Sequence, residues 1–188
     1  MKKTRIILGM SGATGQIYGI RMLEILKDMK SVETHLVLSD WSRKTIELET
    51  AYKVPHVESL ADYCYDMNNL GATISSGSFP CDGMVILPCS IKTLSAIANS
   101  YNDNLLIRAA DVTLKEKRPL VLAVRETPLH LGHLRNMTAV AEIGAIIFPP
   151  LPAFYNHPNS IDDMVTNTVS RILDMVGIKN NLSKRWGE

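Results

Sequence analysis

The side chains of this chain that can do chemistry fall in a few short stretches. The first is Gly9-Met10-Ser11-Gly12-Ala13-Thr14-Gly15, where glycines recur every third residue with hydroxyls between them. Glycine lets backbone approach a ligand closely, and the first amides of a helix are unpaired donors. A strand, such a turn and a helix therefore make a cradle for the phosphate of a mononucleotide. The second is Pro88-Cys89-Ser90-Ile91-Lys92-Thr93, where Ser90 is a good helix cap and Thr93 stands among free N-terminal amides. Arg125-Glu126 directly follows the apolar run Leu120 to Val124, which puts a charged pair at a strand end. From Phe148 to Pro158, prolines 149, 150, 152 and 158 fix an extended path, and Phe154 and Tyr155 can wall off a flat ring or an apolar substrate. Arg171 lies beside Met164, Thr168, Ile172 and Met175 on a helical face, and it either snorkels or binds a phosphate. Asp40 and Glu49 place carboxylates where they can touch a ribityl or ribose hydroxyl or move a proton.

Other chemistries have less to stand on. Cys64, Cys81 and Cys89 cannot all pair, and their spacing is not a zinc pattern, so free thiols in a reducing compartment are expected. Cys89 reads as a small buried filler, since no activating base stands near it in sequence. His130 and His133 have a spacing that can share a metal, but no third ligand accompanies them. There is no Gly-x-Ser-x-Gly elbow and no Walker motif. With 20 basic and 19 acidic side chains, the net charge of +1 gives no argument for nucleic acid or an anionic membrane. The apolar run after Met1-Lys2-Lys3 is too short for a secretory signal or a membrane span, so a cytoplasmic protein is expected.

These residues need a scaffold, and apolar runs alternate with helical periodicity along the chain. Strands are expected at Arg5–Met10, Glu33–Ser39, Gly83–Pro88, Leu120–Arg125 and Ala145–Phe148, with a weaker one between Val54 and Ile74. Helices are expected at Gly15–Met29, Ser42–Leu48, Ser90–Ala98, Leu105–Lys117, Leu129–Ile143 and Ser160–Val176. Ser160-x-x-Asp163 suits a capping box at the start of the last helix. Strands such as MVILP and PLVLAV are apolar throughout, as in a parallel sheet buried on both faces. The alternation predicts a Rossmann-like, doubly wound α/β/α sandwich with strand order 3-2-1-4-5-6, formed as a single domain over residues 1–188. In that order the Gly9–Gly15 turn and the Ser90 turn lie side by side, where function gathers at the C-terminal ends of strands.

Taken together, GMSGATG, Ser39, ELET, SSGS, PCSIKTLSAIA, NLLIRAADVTLKEKRPLVLAVRETPL, PAFYNHP, RIL and the terminal RWGE resemble the UbiX-type flavin prenyltransferases over almost the whole chain. The likeness is greatest to members that accompany phenolic or hydroxyarylic acid decarboxylases. The resemblance implies a metal-independent transfer of a dimethylallyl group from dimethylallyl phosphate to reduced FMN. The product, prenylated FMN, would serve a UbiD-type decarboxylase. It also implies FMN contacts at Gly12, Ala13, Thr14, Ser39, Ser90, Ile91, Lys92, Thr93 and Arg125. Tyr155, Arg171 and Lys115 match positions on the phosphate side of the prenyl donor, and Trp186 falls where the family closes over the site. Glu49 and Glu126 match acids implicated in proton handling, with Glu126 the expected acceptor. Large homo-oligomers, typically dodecamers, are implied. Thr14 departs from the serine of many members, keeping the hydroxyl while adding a methyl that stiffens the rotamer.

A nicotinamide reductase is disfavoured because no Tyr-x-x-x-Lys pair occurs in the chain. A peptidyl-cysteine decarboxylase shares the expected fold, but its signature elements are not evident. A non-catalytic FMN-carrying or regulatory subunit of a decarboxylase complex would use the same binding residues and stays open at this level.

Overall fold

The computed structural model describes residues 3–187. Its centre is a six-stranded parallel sheet in the order β3-β2-β1-β4-β5-β6. The strands are β1 Thr4–Met10, β2 Val32–Leu38, β3 Tyr63–Tyr65, β4 Gly83–Cys89, β5 Leu120–Val124 and β6 Ile146–Ile147. The helices are α1 Gln16–Asp28, α2 Asp40–Glu49, α3 Val54–Ser59, α4 Ile91–Ala98, α5 Leu105–Lys115, α6 Leu131–Glu142 and α7 Ile161–Met175. The strand order is the one the sequence predicts. β4 is buried at every residue, which explains its unbroken apolar run.

Alternation along the strands builds two cores. Ile6, Leu8, Val85 and Leu87 point to one face, against Ile20 and Leu23 of α1 and Val169 and Ile172 of α7. Ile7, Met84, Ile86 and Leu122 point to the other, against Leu94 of α4 and Leu105 and Leu106 of α5. Helices thus cover both faces, and the site is left to the strand ends.

Differences from the expected boundaries come from caps. β2 stops at Leu38 because Ser39 caps α2, its Oγ accepting the Ser42 N–H at 3.0 Å. That cap starts α2 at Asp40, two residues before the expected Ser42. His130 caps α6 in the same way, through a 3.0 Å bond from the Gly132 N–H to Nδ1. Lys117 takes a left-handed φ of 55° just after α5 ends. The short helix α3, with a proline in its first turn, was not expected, and the weak strand between Val54 and Ile74 is β3. Ser160 and Asp163 form the full reciprocal capping box. Among the described residues no helix is long and apolar enough to cross a membrane.

At the outer part of the sheet lies a buried polar cluster. His35 Nε2 is 3.1 Å from Glu33 Oε1, and Nδ1 is 2.9 Å from the Tyr65 hydroxyl. An ionised carboxylate only accepts, so Nε2 carries the proton and Nδ1 accepts from Tyr65. Arg5 Nε donates to the same Glu33 oxygen at 2.7 Å. Burial holds the His35 pKa below its ordinary value against the opposing pull of Glu33. Burial alone would raise Glu33, but bonds from His35 and Arg5 bring it below the usual carboxylate value. Since the unfolded chain takes up the His35 proton more readily than the folded one, this contribution is complete above about pH 6.5 and is lost as pH falls below it. Glu33 loses its contribution at lower pH still. The thermal midpoint should therefore fall between about pH 7 and pH 5, and His35→Gln should flatten that slope. An unchanged slope in the variant would remove His35 from the account.

Candidate functional site

The parallel register brings the strand ends level. Met10 lies opposite Leu38, and Cys89 opposite Val124, so the segments after β1, β2, β4 and β5 share one edge. Buried side chains tie three of them together. The Ser11 N–H and hydroxyl both donate to Pro88 O, at 3.1 and 3.0 Å, and the Ser90 N–H donates to Ser11 Oγ at 2.7 Å. Gln16, fully buried, donates from Nε2 to Ser11 O and Ala13 O at 2.8 Å each. Its Oε1 accepts the Ser42 hydroxyl at 2.7 Å. The path Ser42–Gln16–Ser11–Ser90 therefore runs from α2 through the glycine turn to the start of α4. Every group on it has its partner, as buried polar groups require.

Above this brace is a cavity of about 230 Å³ that Gly12, Ser39, Ser90, Lys92 and Thr93 all line. Ser11, Asn104, Met67, Ile107, Trp41 and the acidic Asp40 complete the lining, so hydroxyl, amide and apolar groups share the cavity with one carboxylate. Ser39, Ser90 and Asn104 are the caps of α2, α4 and α5, so three helix N-termini meet the cavity. That is a donor set for an anion. At Gly12 a Cβ would stand 2.3 Å from Trp41 Cβ, so the turn closes on α2 only with glycine there. Gly15 takes a left-handed φ of 95° where the turn enters α1.

The N-terminus of α1 itself holds an internal carboxylate. Glu49 Oε2 accepts the N–H groups of Gly15 at 2.8 Å and Gln16 at 3.4 Å. The amides expected to cradle a phosphate there are thus engaged, which leaves the capped N-termini of α2, α4 and α5 at the cavity, with Asp40 in the first turn of α2. Thr14, exposed, is the next residue in the turn. Ala13 and Thr14 do not line the cavity, and Ile91 packs its side chain into the core beneath α4. The Arg125 N–H bonds Cys89 O at 3.0 Å, and its positive charge partly offsets the burial that raises the Tyr18 hydroxyl. Glu126 is exposed at the end of β5 and accepts the Thr127 N–H at 3.1 Å.

A second cleft, of about 230 Å³, shares no lining residue with the first. It brings Tyr155 and Arg171 together with Phe148, Asn156 and Asn167. Trp186 stands edge-on to Tyr155, ring centroids 5.3 Å apart at 84°. Lys115 is not part of this group. It ends α5 at the opposite edge, shortly before β5 begins, and pairs with Glu116 at 2.5 Å.

Cys89 is fully buried, and burial pushes its thiol up to about 12, the state of a filler rather than a nucleophile. The rings of His130 and His133 lie with centroids 3.5 Å apart, tilted by 34°. Among the described residues no group of three or more His, Cys, Asp or Glu is placed to hold a metal. The sequence reading passed over Gln16, Ser42, Asn104 and Asp174. The only available signal was a polar Gln16 on a helix face otherwise turned inward.

A profile of the flavoprotein family matches residues 1–177, which sets the class. The chain is 59% identical over 184 residues to the flavin prenyltransferase UbiX of Salmonella typhimurium, covering 97% of each. It is 57% identical over 182 residues to that of Thauera aromatica, covering 97% of this chain and 93% of the relative. A crystal structure of AnUbiX in complex with FMN and dimethylallyl pyrophosphate superposes with a TM-score of 0.97 at 48% identity, covering 100% of this chain and 99% of that one. The chain belongs to the UbiX-type flavin prenyltransferase family. Cypemycin decarboxylase CypD, at 11% identity and a TM-score of 0.66, shares the fold alone.

Replacing Gln16 with leucine keeps the bulk and strips the partners from Ser42 and two carbonyls. Urea unfolding should show a loss of about 1–3 kcal/mol, and flavin affinity should fall with it. A variant as stable and as tight-binding as the parent would show that the brace does not hold the site.

Proposed function

We propose that this chain joins the dimethylallyl group of dimethylallyl phosphate to reduced FMN, and that the prenylated FMN passes to a UbiD-type decarboxylase. The observation that carries the assignment of roles is the pair of distinct clefts. One is lined by hydroxyls at two helix starts, the other by an arginine, a tyrosine hydroxyl and aromatic rings. The first fits FMN, with Ser39, Ser90, Thr93 and Lys92 at the phosphate and Ile107 and Met67 along apolar surface. Gly12, Ala13, Thr14 and the Ile91 amide border the flavin, and Arg125 reaches it from the end of β5. Bound there, the flavin supplies the nucleophilic nitrogen and carbon.

Tyr155 and Arg171 take the phosphate of the prenyl donor. The bond from carbon to phosphate oxygen breaks with its electron pair leaving on phosphate. The C5 unit bonds to a flavin nitrogen, which gives up its proton, and then, its double bond taking up a proton, to a ring carbon, which gives up another. Without a metal, fixed cations and donors must carry the charge developing on the leaving group. Arg171 and the Tyr155 hydroxyl do so from one copy, and Lys115, at the far edge of its own fold, is supplied by a neighbouring copy. Large apolar side chains left open on the single chain support such an assembly. Leu151, Phe154 and Trp186 are 75%, 65% and 81% exposed around this cleft, and Leu131 and Leu134 are open on α6. A UbiX-like structure from Escherichia coli, 50% identical, is dodecameric, and we take this chain to assemble in the same way. Trp186 closes the cleft and excludes water from the allylic carbon. Glu126 accepts the ring proton, with the departing phosphate as a rival base. Glu49, held beside Thr14, serves the flavin side of proton movement. The whole of residues 1–188 acts as one unit, and its free thiols suit a reducing cytoplasm.

The test is anaerobic incubation with reduced FMN and dimethylallyl phosphate, the diphosphate run in parallel, followed by mass spectrometry of the released flavin. A gain of one C5H8 unit is expected with the monophosphate. Tight binding of unchanged FMN would instead make the chain a carrier subunit. In the same assay Glu126→Gln should slow product formation by about 10²-fold or more with substrate KM values unchanged, and full turnover would assign the proton to phosphate.

A further inference from the structure

Asp174, at the end of α7, is the point where the second cleft and the C-terminal segment meet. Arg185 grips it with two prongs, Nη1 to Oδ2 at 2.9 Å and Nη2 to Oδ1 at 3.0 Å. Arg171, one turn earlier on α7, donates Nη1 to Oδ2 at 2.6 Å. Asn180 Nδ2 donates to Oδ1 at 3.2 Å. The Asp174 side chain is only 16% exposed, so its carboxylate is screened from water on most sides, while Arg171 and Arg185 keep 45% and 39% exposure. Its two arginines, Arg185 foremost, hold its carboxyl below the usual carboxylate range, and it stays ionised at neutral pH.

The geometry divides the Arg171 guanidinium. Nη1 is committed to Asp174, which leaves the edge formed by Nε and Nη2, the edge that grips two oxygens of a phosphate side by side. Tethering Nη1 also removes much of the rotamer freedom that a loose arginine would lose on binding. The residue after Arg185 is Trp186, whose ring meets Tyr155 edge-on at 5.3 Å. The same carboxylate therefore fixes a cation in the cleft and the segment that carries an indole against Tyr155.

We propose that Asp174 is a positioning residue for the prenyl phosphate, presenting the free edge of Arg171 and clamping Arg185 so that Trp186 stays over Tyr155. The proposal rests on the reading of Arg171 as a phosphate ligand. Nothing in the cluster touches the flavin cavity, so the two substrates should respond differently.

The experiment compares Asp174→Asn, Arg185→Gln and Arg171→Ala in the full-length assembled enzyme. It measures KM for dimethylallyl phosphate, Kd for FMN, and amide hydrogen exchange across residues 180–187. For Asp174→Asn, KM should rise about tenfold with FMN affinity unchanged, and exchange in the C-terminal segment should quicken. Arg185→Gln should release the segment as fully, with a smaller rise in KM of about threefold, because Arg171 stays tethered. Should Asp174→Asn fail to fold, Arg185→Gln decides: faster exchange with raised KM supports the clamp, and the absence of both overturns it. Raised KM in Arg171→Ala beside an unchanged KM in Asp174→Asn would overturn the positioning role and leave the phosphate reading standing. An unchanged KM in Arg171→Ala would overturn that reading and this proposal with it. Equal losses of FMN and prenyl-phosphate binding in Asp174→Asn would make its role structural and overturn the proposal.

Discussion

The buried amide of Gln16 is the joint that holds together the cavity at the strand ends. The parallel sheet delivers three loops to one edge but does not fix their spacing, because each follows a different strand and carries its own small residues. Gln16 spans the gap with both ends of its side chain, accepting from Ser42 and donating to the carbonyls of Ser11 and Ala13. Ser11 passes the constraint on to Pro88 and Ser90. In a site screened from water such a path is rigid only when complete, since a single missing partner leaves a buried dipole unpaired. Close packing reinforces it, as the contact of Gly12 with Trp41 leaves no room for a side chain between turn and helix.

This joint also settles where an anion can sit. The N-termini of α1, α2, α4 and α5 approach this part of the edge, and each carries partial positive charge. Glu49 answers the one at α1; hydroxyl caps stand at α2 and α4, with Asp40 in the first turn of α2 and no acid in that of α4. A second cationic site, built on α7 and the segment after β6, is kept apart from the first.

The fold was legible because its signals are local. Continuous apolar runs at β1, β4 and β5, and serines placed at helix starts, determine the layers and the strand order almost by themselves. Boundaries moved by a residue or two where a cap reached back, as Ser39 did for α2. The site was legible where its residues form contiguous motifs, as in the turns at Gly12 and Ser90. It was not legible where chemistry depends on contacts between distant positions. Glu49 meets Gly15 across 34 residues, and Asp174 collects Arg185 from a loop beyond its own helix. Lys115 shows the reverse, a motif residue that one folded copy places at the wrong edge for its expected role. Gln16 escaped notice because glutamine at the first turn of a helix is ordinary, and only the fold reveals that its side chain is wholly enclosed.

The central claim is that the FMN phosphate rests at the N-termini of α2 and α4, on Ser39 and Ser90, rather than at α1. Its most direct measurement is the ratio of FMN to riboflavin affinity, which isolates the phosphate from the ring. In Ser90→Ala and Ser39→Ala that ratio should fall by about tenfold each, in keeping with loss of a hydrogen bond to a charged group, while Glu49→Gln should leave it unchanged. A ratio preserved in both serine variants and altered by Glu49→Gln would contradict the account and return the phosphate to the glycine turn.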